Sequence, residues 1–160
     1  MPVEATDFRS AVGSFASGVT LVTVRDGRDD IGSTVTAFTS LSLDPPMVGV
    51  AIAEESYLVE ALSRARAFAV TVLAAEQKAL AGRFTAAGRP SARILLANVA
   101  HHRGPESEAL IVEDACAAVE CAIAQRVTAG DHVLFVSTVT AVDYVETSAA
   151  PLVHQAGGYR

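Results

Sequence analysis

The sequence predicts a mainly β protein, a closed antiparallel β-barrel with a few short helices. Segments rich in β-branched residues follow one another at hairpin spacing, and most neighbouring segments have no helix between them. Turn-forming pairs such as Asp26-Gly27 separate the segments. With 160 residues, of which 51% are hydrophobic and 19% charged, the chain is long and apolar enough for one globular domain spanning 1–160.

The first third of the chain predicts one helix and three strands. Apolar residues recur at helical spacing at Phe8, Ala11, Val12 and Phe15. Either Thr6 or Asp7 is expected to cap this helix. Strands are then expected over 19–25, 30–39 and 47–53. The second of these strands should end at the turn Asp44-Pro45-Pro46, because proline cannot donate a ladder hydrogen bond.

The middle third predicts two helices around one strand. Ser56 is the natural N-cap of a helix over 57–65, and a strand follows over 67–73. The segment 74–84 is typical of a short amphipathic helix, with a glutamate early and Arg83 late, as the helix dipole favours. Residues 85–108 are the least regular part and are expected to form a loop with at most a short helix.

The last third returns to strands. A strand is expected from residue 117, where Val119, Cys121, Ile123 and Val127 share one face by a period of two. The turn TAGDH separates it from a strand over 133–145, and residues 151–153 are expected to add a short final strand.

Charge and composition exclude several functions. The formal net charge is −6 and no basic cluster occurs, which argues against nucleic acid and anionic membranes as partners. No apolar run is long enough to span a bilayer, and the N-terminus lacks a secretory signal, so a cytoplasmic location is expected. Cys116 and Cys121 lack histidines at ligand spacing, so we expect no metal site and two reduced thiols.

The segment 32–46, GSTVTAFTSLSLDPP, is the part of the sequence that most clearly indicates a ligand-binding site. Serine and threonine alternate there with apolar residues, which predicts a strand with a hydroxyl-bearing face followed by a sharp turn. Hydroxyls and nearby main-chain amides can hydrogen-bond a flat heteroaromatic ligand without adding charge. The alternative is that these hydroxyls belong to a solvated strand face.

Several motifs, in order along the whole chain, resemble the flavin reductase family, the FMN-binding split-barrel enzymes. They are GVTLVT (18–23), the hydroxyl-rich segment with its Pro45-Pro46, AFAVTVL (67–73), LAGRF (80–84), VEC (119–121), GDH (130–132) and PLVHQAGGY (151–159). Each motif is weak alone, and their joint order is specific. The resemblance implies a six-stranded antiparallel Greek-key split barrel.

The resemblance also implies which residues bind the cofactor. The isoalloxazine ring would be held by Thr34, Val35, Thr36, Ser40, Leu41 and Ser42. Ser56 and Arg83 would meet the flavin phosphate, although capping and a dipole contact are their respective alternatives. His154, where the family commonly has tyrosine, and Tyr159 would lie near the nicotinamide or close the pocket.

His132 is the catalytic residue that the resemblance implies. The family's GDH turn places this histidine near the nicotinamide, where it would hydrogen-bond and orient the incoming nucleotide. The neighbouring Asp131 is expected to form the turn and orient the imidazole. The alternative is a turn histidine in water.

By resemblance, the protein is expected to be a NAD(P)H-dependent flavin reductase. Hydride would pass from NADH or NADPH to FMN or FAD, and the reduced flavin would diffuse to a partner monooxygenase. A homodimer is expected as well. A non-catalytic flavin-binding or storage module on the same barrel stays open as the alternative, because one fold can serve several functions.

Overall fold

The structure is a computed structural model that describes all 160 residues. Its helices are short: α1 (Ala5–Gly13), α2 (Tyr57–Arg64), α3 (Lys78–Arg83) and α4 (Ala92–Leu95), with a 3₁₀ turn over Ala75–Gln77 before α3. The first six strands are β1 (Ser17–Gly18), β2 (Thr20–Asp26), β3 (Asp29–Val35), β4 (Phe38–Leu43), β5 (Pro46–Ala53) and β6 (Ala67–Val72). The other six are β7 (His101–Arg103), β8 (Leu110–Val112), β9 (Ala117–Ala129), β10 (His132–Val145), β11 (Val153–Gln155) and β12 (Gly158–Tyr159).

Seven antiparallel strands form the main sheet, in the order β3-β2-β6-β9-β10-β5-β4. Strands β3 and β4 are its two edges, yet they are joined by only Thr36 and Ala37. The chain therefore crosses from one edge of the sheet to the other within two residues, and Ala51 N–H donates to the carbonyl of Ala37. This crossing brings the two edges together at one end of the sheet.

Two small sheets accompany the main one. Strand β11 pairs with β1 and β12, which brings the C-terminal segment beside the end of α1. The hairpin of β7 and β8 lies in the excursion between α4 and β9.

Apolar residues on the inward face of the main sheet form the largest core. On β5 this face carries Val48, Val50 and Ile52, which pair directly with inward residues of β10 such as Phe135. Helix α2 packs its apolar face, including Leu58 and other buried residues, against the same core. A second apolar cluster, under α3 and α4, contains Leu21, Phe84, Leu96 and their neighbours.

The prediction of a mainly β protein with short helices is confirmed. The main sheet has seven strands rather than six, because the expected strand over 30–39 is broken at Thr36 and Ala37 into β3 and β4. Ser56 caps α2 as expected, since its Oγ accepts from the N–H of Leu58 at 3.3 Å. The segment 74–84 is also helical, although its first turn is 3₁₀.

Two local expectations were wrong. Neither Thr6 nor Asp7 caps α1, because the helix begins at Ala5 and both residues lie inside its first turn. Val127 does not share the inward face of Cys121 and Ile123, because a bulge at Ala124 shifts the period of β9. Val127 is consequently exposed, opposite Leu134.

No helix in the structure combines the length and the apolar content needed to cross a membrane. Both cysteines are free. Burial and the neighbouring charge of Glu120 raise the pKa of Cys121 to about 12, so this thiol stays protonated near neutral pH.

Candidate functional site

The larger cavity, cavity 1, is an open cleft of about 1170 Å³. It lies on the outward face of the main sheet, between α1, the β3–β4 crossing and the C-terminal segment. Helix α1 contributes residues such as Arg9, the segment just after it contributes Phe15, and the crossing contributes Thr36 and its neighbours. His154 lines it from β11. Three separate parts of the chain therefore converge on one cleft.

The floor of cavity 1 combines small residues of β5 with larger apolar side chains of the neighbouring strands, Phe38 of β4 and Leu134 of β10. On the outward face of β5, Gly49, Ala51 and Ala53 alternate with the core residues, and Gly49 and Ala51 line this cavity. A Cβ atom at Gly49 would lie 3.2 Å from both Leu134 Cδ1 and Leu41 Cδ1, so only glycine fits beneath these two leucines. A strand surface of this kind accepts a flat ligand.

The smaller cavity, cavity 2, has a volume of about 590 Å³ and lies at the N-terminal end of α2. It is lined by Ser56 and Tyr57, by Gly32 of β3, by Ala53 of β5 and by the loop 85–91. Ala51 of cavity 1 and Ala53 of cavity 2 are roughly 7 Å apart along β5, given the rise of an antiparallel strand. The two cavities are therefore neighbours along the outward face of β5, although no residue lines both.

Arg89 supplies a positive charge to cavity 2. Its Nε donates to the carbonyl of Gly32 at 2.9 Å, and its Nη1 donates to the carbonyl of Ala86 at 3.1 Å. No carboxylate pairs with it, and partial burial lowers the pKa of its guanidinium. Together with the Ser56 hydroxyl and the positive end of the α2 dipole, this arginine makes cavity 2 suited to an anion.

The segment that carries Arg89 is fastened to the free edge of β3. Ser91 Oγ donates to the carbonyl of Asp30 at 3.2 Å, and Arg93 lies 3.4 Å from the carboxylate of Asp30. That buried carboxylate also receives Arg103 Nη1 at 2.8 Å. Asp30 and Gly32 therefore direct their main-chain groups away from β2, and by the same alternation so does Thr34.

His132 starts β10 and pairs directly with Ala53 of cavity 2, although His132 itself lines neither cavity. Its Nδ1 lies 2.8 Å from Asp131 Oδ1, and since a carboxylate only accepts, Nδ1 carries the proton and Nε2 is left free. The hydrogen bond from His132 lowers the pKa of Asp131, with a smaller contribution from the charge of Arg9. The arrangement presents a fixed, unoccupied imidazole nitrogen beside the floor.

The structure brings together only some of the residues expected to bind a flavin. Thr36 and His154 line cavity 1, and Ser56 lines cavity 2. Arg83 is exposed at the end of α3 and lines neither cavity. Tyr159 also lies outside both, and its ring packs edge-on against His154 with the centroids 5.8 Å apart.

The residues of the hydroxyl-rich segment that were expected to bind the flavin ring do not all face one cavity. Thr34 Oγ1 donates to the carbonyl of Ala81 at 2.8 Å, so it fastens β3 to α3. Val35 is buried in the core. The expected residues of β4, which are Ser40, Leu41 and Ser42, line neither cavity, although Leu41 Cδ1 lies close above Gly49.

Sequence reasoning missed Arg89 and the floor of small residues. The floor was visible in principle as the alternation Gly49, Ala51, Ala53 within an otherwise β-branched strand. Arg89 had only the loop sequence GRPS around it, which predicts a turn and no ligand.

Residues 12–160 match the family model of the flavin reductase like domain. An NADH-dependent FMN reductase of Streptomyces nodosus subsp. asukaensis is 38% identical over 154 residues, covering 96% of this chain and 83% of that protein. The reductase component of a 4-hydroxyphenylacetate 3-monooxygenase of Thermus thermophilus is 39% identical over 153 residues, covering 96% and 93%.

Among solved structures, an NADH:FAD oxidoreductase of Streptomyces globisporus superposes with a TM-score of 0.91 at 31% identity, covering 100% of this chain and 94% of that one. The flavin reductase component of a bacterial two-component tryptophan halogenase gives 0.91 at 32% identity, covering 98% and 97%. The family match spans nearly the whole chain, and the relatives cover it end to end. The chain therefore belongs to the flavin reductase like domain family.

Proposed function

We propose that this protein is a NAD(P)H-dependent flavin reductase that supplies reduced FMN or FAD to a partner monooxygenase. The observation that carries the proposal is the pair of neighbouring cavities on the outward face of β5: an open cleft lined by Gly49 and Ala51, and a second cavity, lined by Ala53, that holds the unpaired cation Arg89. Similar proteins are named as NADH-dependent FMN or FAD reductases, and some as reductase components of monooxygenases.

The residues of both cavities fit a flavin nucleotide. The ring system requires a flat, mostly apolar floor with a few hydrogen-bonding groups at its rim. Gly49 and Ala51 provide the floor, and Thr36 with the neighbouring main chain provides the rim. The free edge of β3, including the N–H groups of Gly32 and Thr34, offers further donors between the two cavities.

The phosphate end of the flavin belongs in cavity 2. Arg89 provides forked donors, and Ser56 retains its hydroxyl proton for a ligand while its oxygen caps α2. Arg83 remains a candidate for a contact with the phosphate, and it would have to reach it from outside this cavity.

When bound, the flavin accepts a hydride from the nicotinamide at N5, so the cofactor supplies the redox chemistry. The protein's residues hold and orient the two nucleotides rather than transfer protons. The free Nε2 of His132 hydrogen-bonds the incoming nucleotide, and Asp131 fixes the imidazole for that contact. His154, steadied by the ring of Tyr159, forms the opposite wall of cavity 1.

The proposal includes a homodimer whose second copy covers α1 and β4. Helix α1 buries none of its residues in the single chain, its Phe8 is 58% exposed, and Phe15, just after the helix, is 79% exposed. Leu43 at the end of β4 is 90% exposed. So large an apolar surface beside an open cleft is typical of an interface between subunits.

The remaining parts of the proposal concern architecture and location. The whole chain, 1–160, acts as one domain. The main sheet is open, with β3 and β4 as its unpaired edges, and the short link Thr36–Ala37 between these edges supports the family's split barrel as its architecture. The two free thiols favour the cytoplasm.

The test is oxidation of NADH and of NADPH by the purified protein with FMN and with FAD added, together with fluorescence titration of each oxidised flavin. We expect saturable quenching at micromolar flavin and turnover that depends on both substrates. No saturable change at tens of micromolar flavin would overturn the proposal. Flavin binding without oxidation of either nucleotide would identify a binding or storage module instead.

A further inference from the structure

Tyr57 is an exposed aromatic ring at the mouth of cavity 2, and it is held rigidly. Its hydroxyl donates to Asp26 Oδ2 at 3.3 Å and accepts from Arg64 Nη2 at 3.2 Å. Arg64 also forms a forked pair with Asp26, at 3.2 and 2.7 Å. The guanidinium carbon of Arg64 lies 5.7 Å from the centroid of the tyrosine ring. The ring is therefore fixed at its hydroxyl end by two charged partners, although it is 52% exposed.

These polar contacts fasten α2 to Asp26 at the end of β2, whereas the tyrosine ring itself stays outside the apolar core. Tyr57 is the first residue of α2, and its ring belongs to none of the three apolar clusters. An exposed aromatic side chain that is fixed in place loses little conformational entropy when a flat ligand stacks on it. The contacts of Tyr57 with Asp26 and Arg64 already order the ring before any ligand binds.

Cavity 2 is also larger than a phosphate group requires. Its volume of about 590 Å³ lies within the range of roughly 300–1,000 Å³ that is typical of pockets for whole small molecules. The anion-binding groups, Arg89 and Ser56, occupy one part of it, and Tyr57 lines the same cavity. An anion site next to an aromatic ring is suited to a nucleotide rather than to a lone phosphate.

We propose that Tyr57 stacks on the adenine of FAD, and that cavity 2 holds the adenosine diphosphate end of this flavin in preference to the single phosphate of FMN. This inference rests on the proposed function, because it assumes a flavin ring on the β5 floor. The adenosine phosphate group also occurs in NADH and NADPH. FAD is the favoured source because Ala51 of cavity 1 and Ala53 of cavity 2 are neighbours on the outward face of β5, so one dinucleotide can extend from the first cavity to the second.

The experiment compares affinities for oxidised riboflavin, FMN and FAD, measured by fluorescence titration of the full chain and of two variants. In the wild type we expect FAD to bind at least tenfold more tightly than FMN. Tyr57→Ala should weaken FAD binding about tenfold, as loss of one stacked base does, with FMN binding changed less than twofold. Tyr57→Phe keeps the ring and should retain most of the preference for FAD.

Three results would overturn the proposal. FMN could bind as tightly as FAD to the wild type, or Tyr57→Ala could weaken both flavins equally. Alternatively, Tyr57→Ala could raise the KM for NADH when FMN is the flavin, which would assign the ring to the adenosine of the nicotinamide nucleotide. Each differs from failure of the proposed function, in which no flavin binds or no nucleotide is oxidised.

Discussion

At the scale of single residues, two arginines are candidates for binding the flavin phosphate. Arg89 lies in cavity 2 without a carboxylate partner, whereas Arg83 is exposed at the end of α3. We expect Arg89→Met to weaken FMN binding tenfold or more and to spare riboflavin, because a charge-assisted hydrogen bond contributes about 1.5–3 kcal/mol. The matched variant Arg83→Met should change neither affinity beyond twofold. The opposite pattern in these titrations would assign the phosphate to Arg83.

His102 provides a second prediction, concerning stability. Its Nδ1 lies 3.0 Å from Glu113 Oε1, and its Nε2 lies 2.8 Å from Asp143 Oδ2. Both nitrogens can donate to carboxylates only in the imidazolium form. Partial burial lowers the pKa of His102, but the two hydrogen bonds and the two negative charges outweigh it, so the pKa is raised above its ordinary value.

Because the pKa of His102 is raised in the folded state, its contribution to the free energy of unfolding decreases as the pH rises. The contribution of His102 is fully present below its unfolded pKa of about 6.5 and is lost as the pH rises through the folded value. His102→Gln should therefore cost more unfolding free energy at about pH 6 than at about pH 9, as measured by urea denaturation. His101→Gln is the control, since His101 contacts only the carbonyl of Val99. An equal loss at both pH values would contradict the prediction.

At the scale of elements, we propose that the flavin ring lies on small residues of β5, whereas the sequence predicted that hydroxyls of the segment 32–46 would hold it. Ala51→Leu should place a large side chain on the floor of cavity 1 and reduce flavin affinity at least tenfold. The fold should be preserved, because this side of the strand faces an open cleft rather than the core. Ala124→Leu, on an exposed position of β9, is the matched control. Unchanged flavin titration in Ala51→Leu would remove this floor from the site.

The elements show what the sequence could and could not predict. Period-two patterning and turn residues were sufficient for β2, β5, β6 and the long hairpin of β9 and β10, because each depends on local burial and local turns. The break at Thr36–Ala37 was not visible, since it comes from the pairing of β3 with β2 and of β4 with β5. Long-range pairing of this kind leaves no periodic signal.

The candidate site also contains some residues that the sequence predicted and others that it did not. Thr36, Ser56 and His154 were predicted from their positions in the family's motifs, and each lines one of the two cavities. Arg89 was missed because its role depends on where a loop is fastened, and the fastening runs through Asp30, about sixty residues away in sequence. Thr34 matched the motif, yet its hydroxyl is used within the fold, by the carbonyl of Ala81.

At the scale of the whole molecule, the exposed apolar surface of α1 leads to the last prediction. If a second copy covers this surface, light scattering should give the wild type twice the mass of one chain. Phe15→Asp should then dissociate the dimer, because Phe15 is 79% exposed in the single chain and carries no structural contact in the core. Burial of a phenylalanine contributes about 1.5–3 kcal/mol. A twofold-symmetric dimer loses this contribution twice, because both subunits carry the substitution.

The dimer dissociation constant should accordingly rise at least a hundredfold, since each ~1.4 kcal/mol is a factor of ten. Ile94→Asp on α4 is the control, because Ile94 is also a large apolar residue, is 65% exposed and does not line cavity 1. Because α1 is also a wall of cavity 1, the monomeric variant should bind flavin more weakly at low protein concentration and recover affinity as the concentration rises. A monomeric wild type that binds flavin with full affinity would show that one copy of the chain completes the site alone.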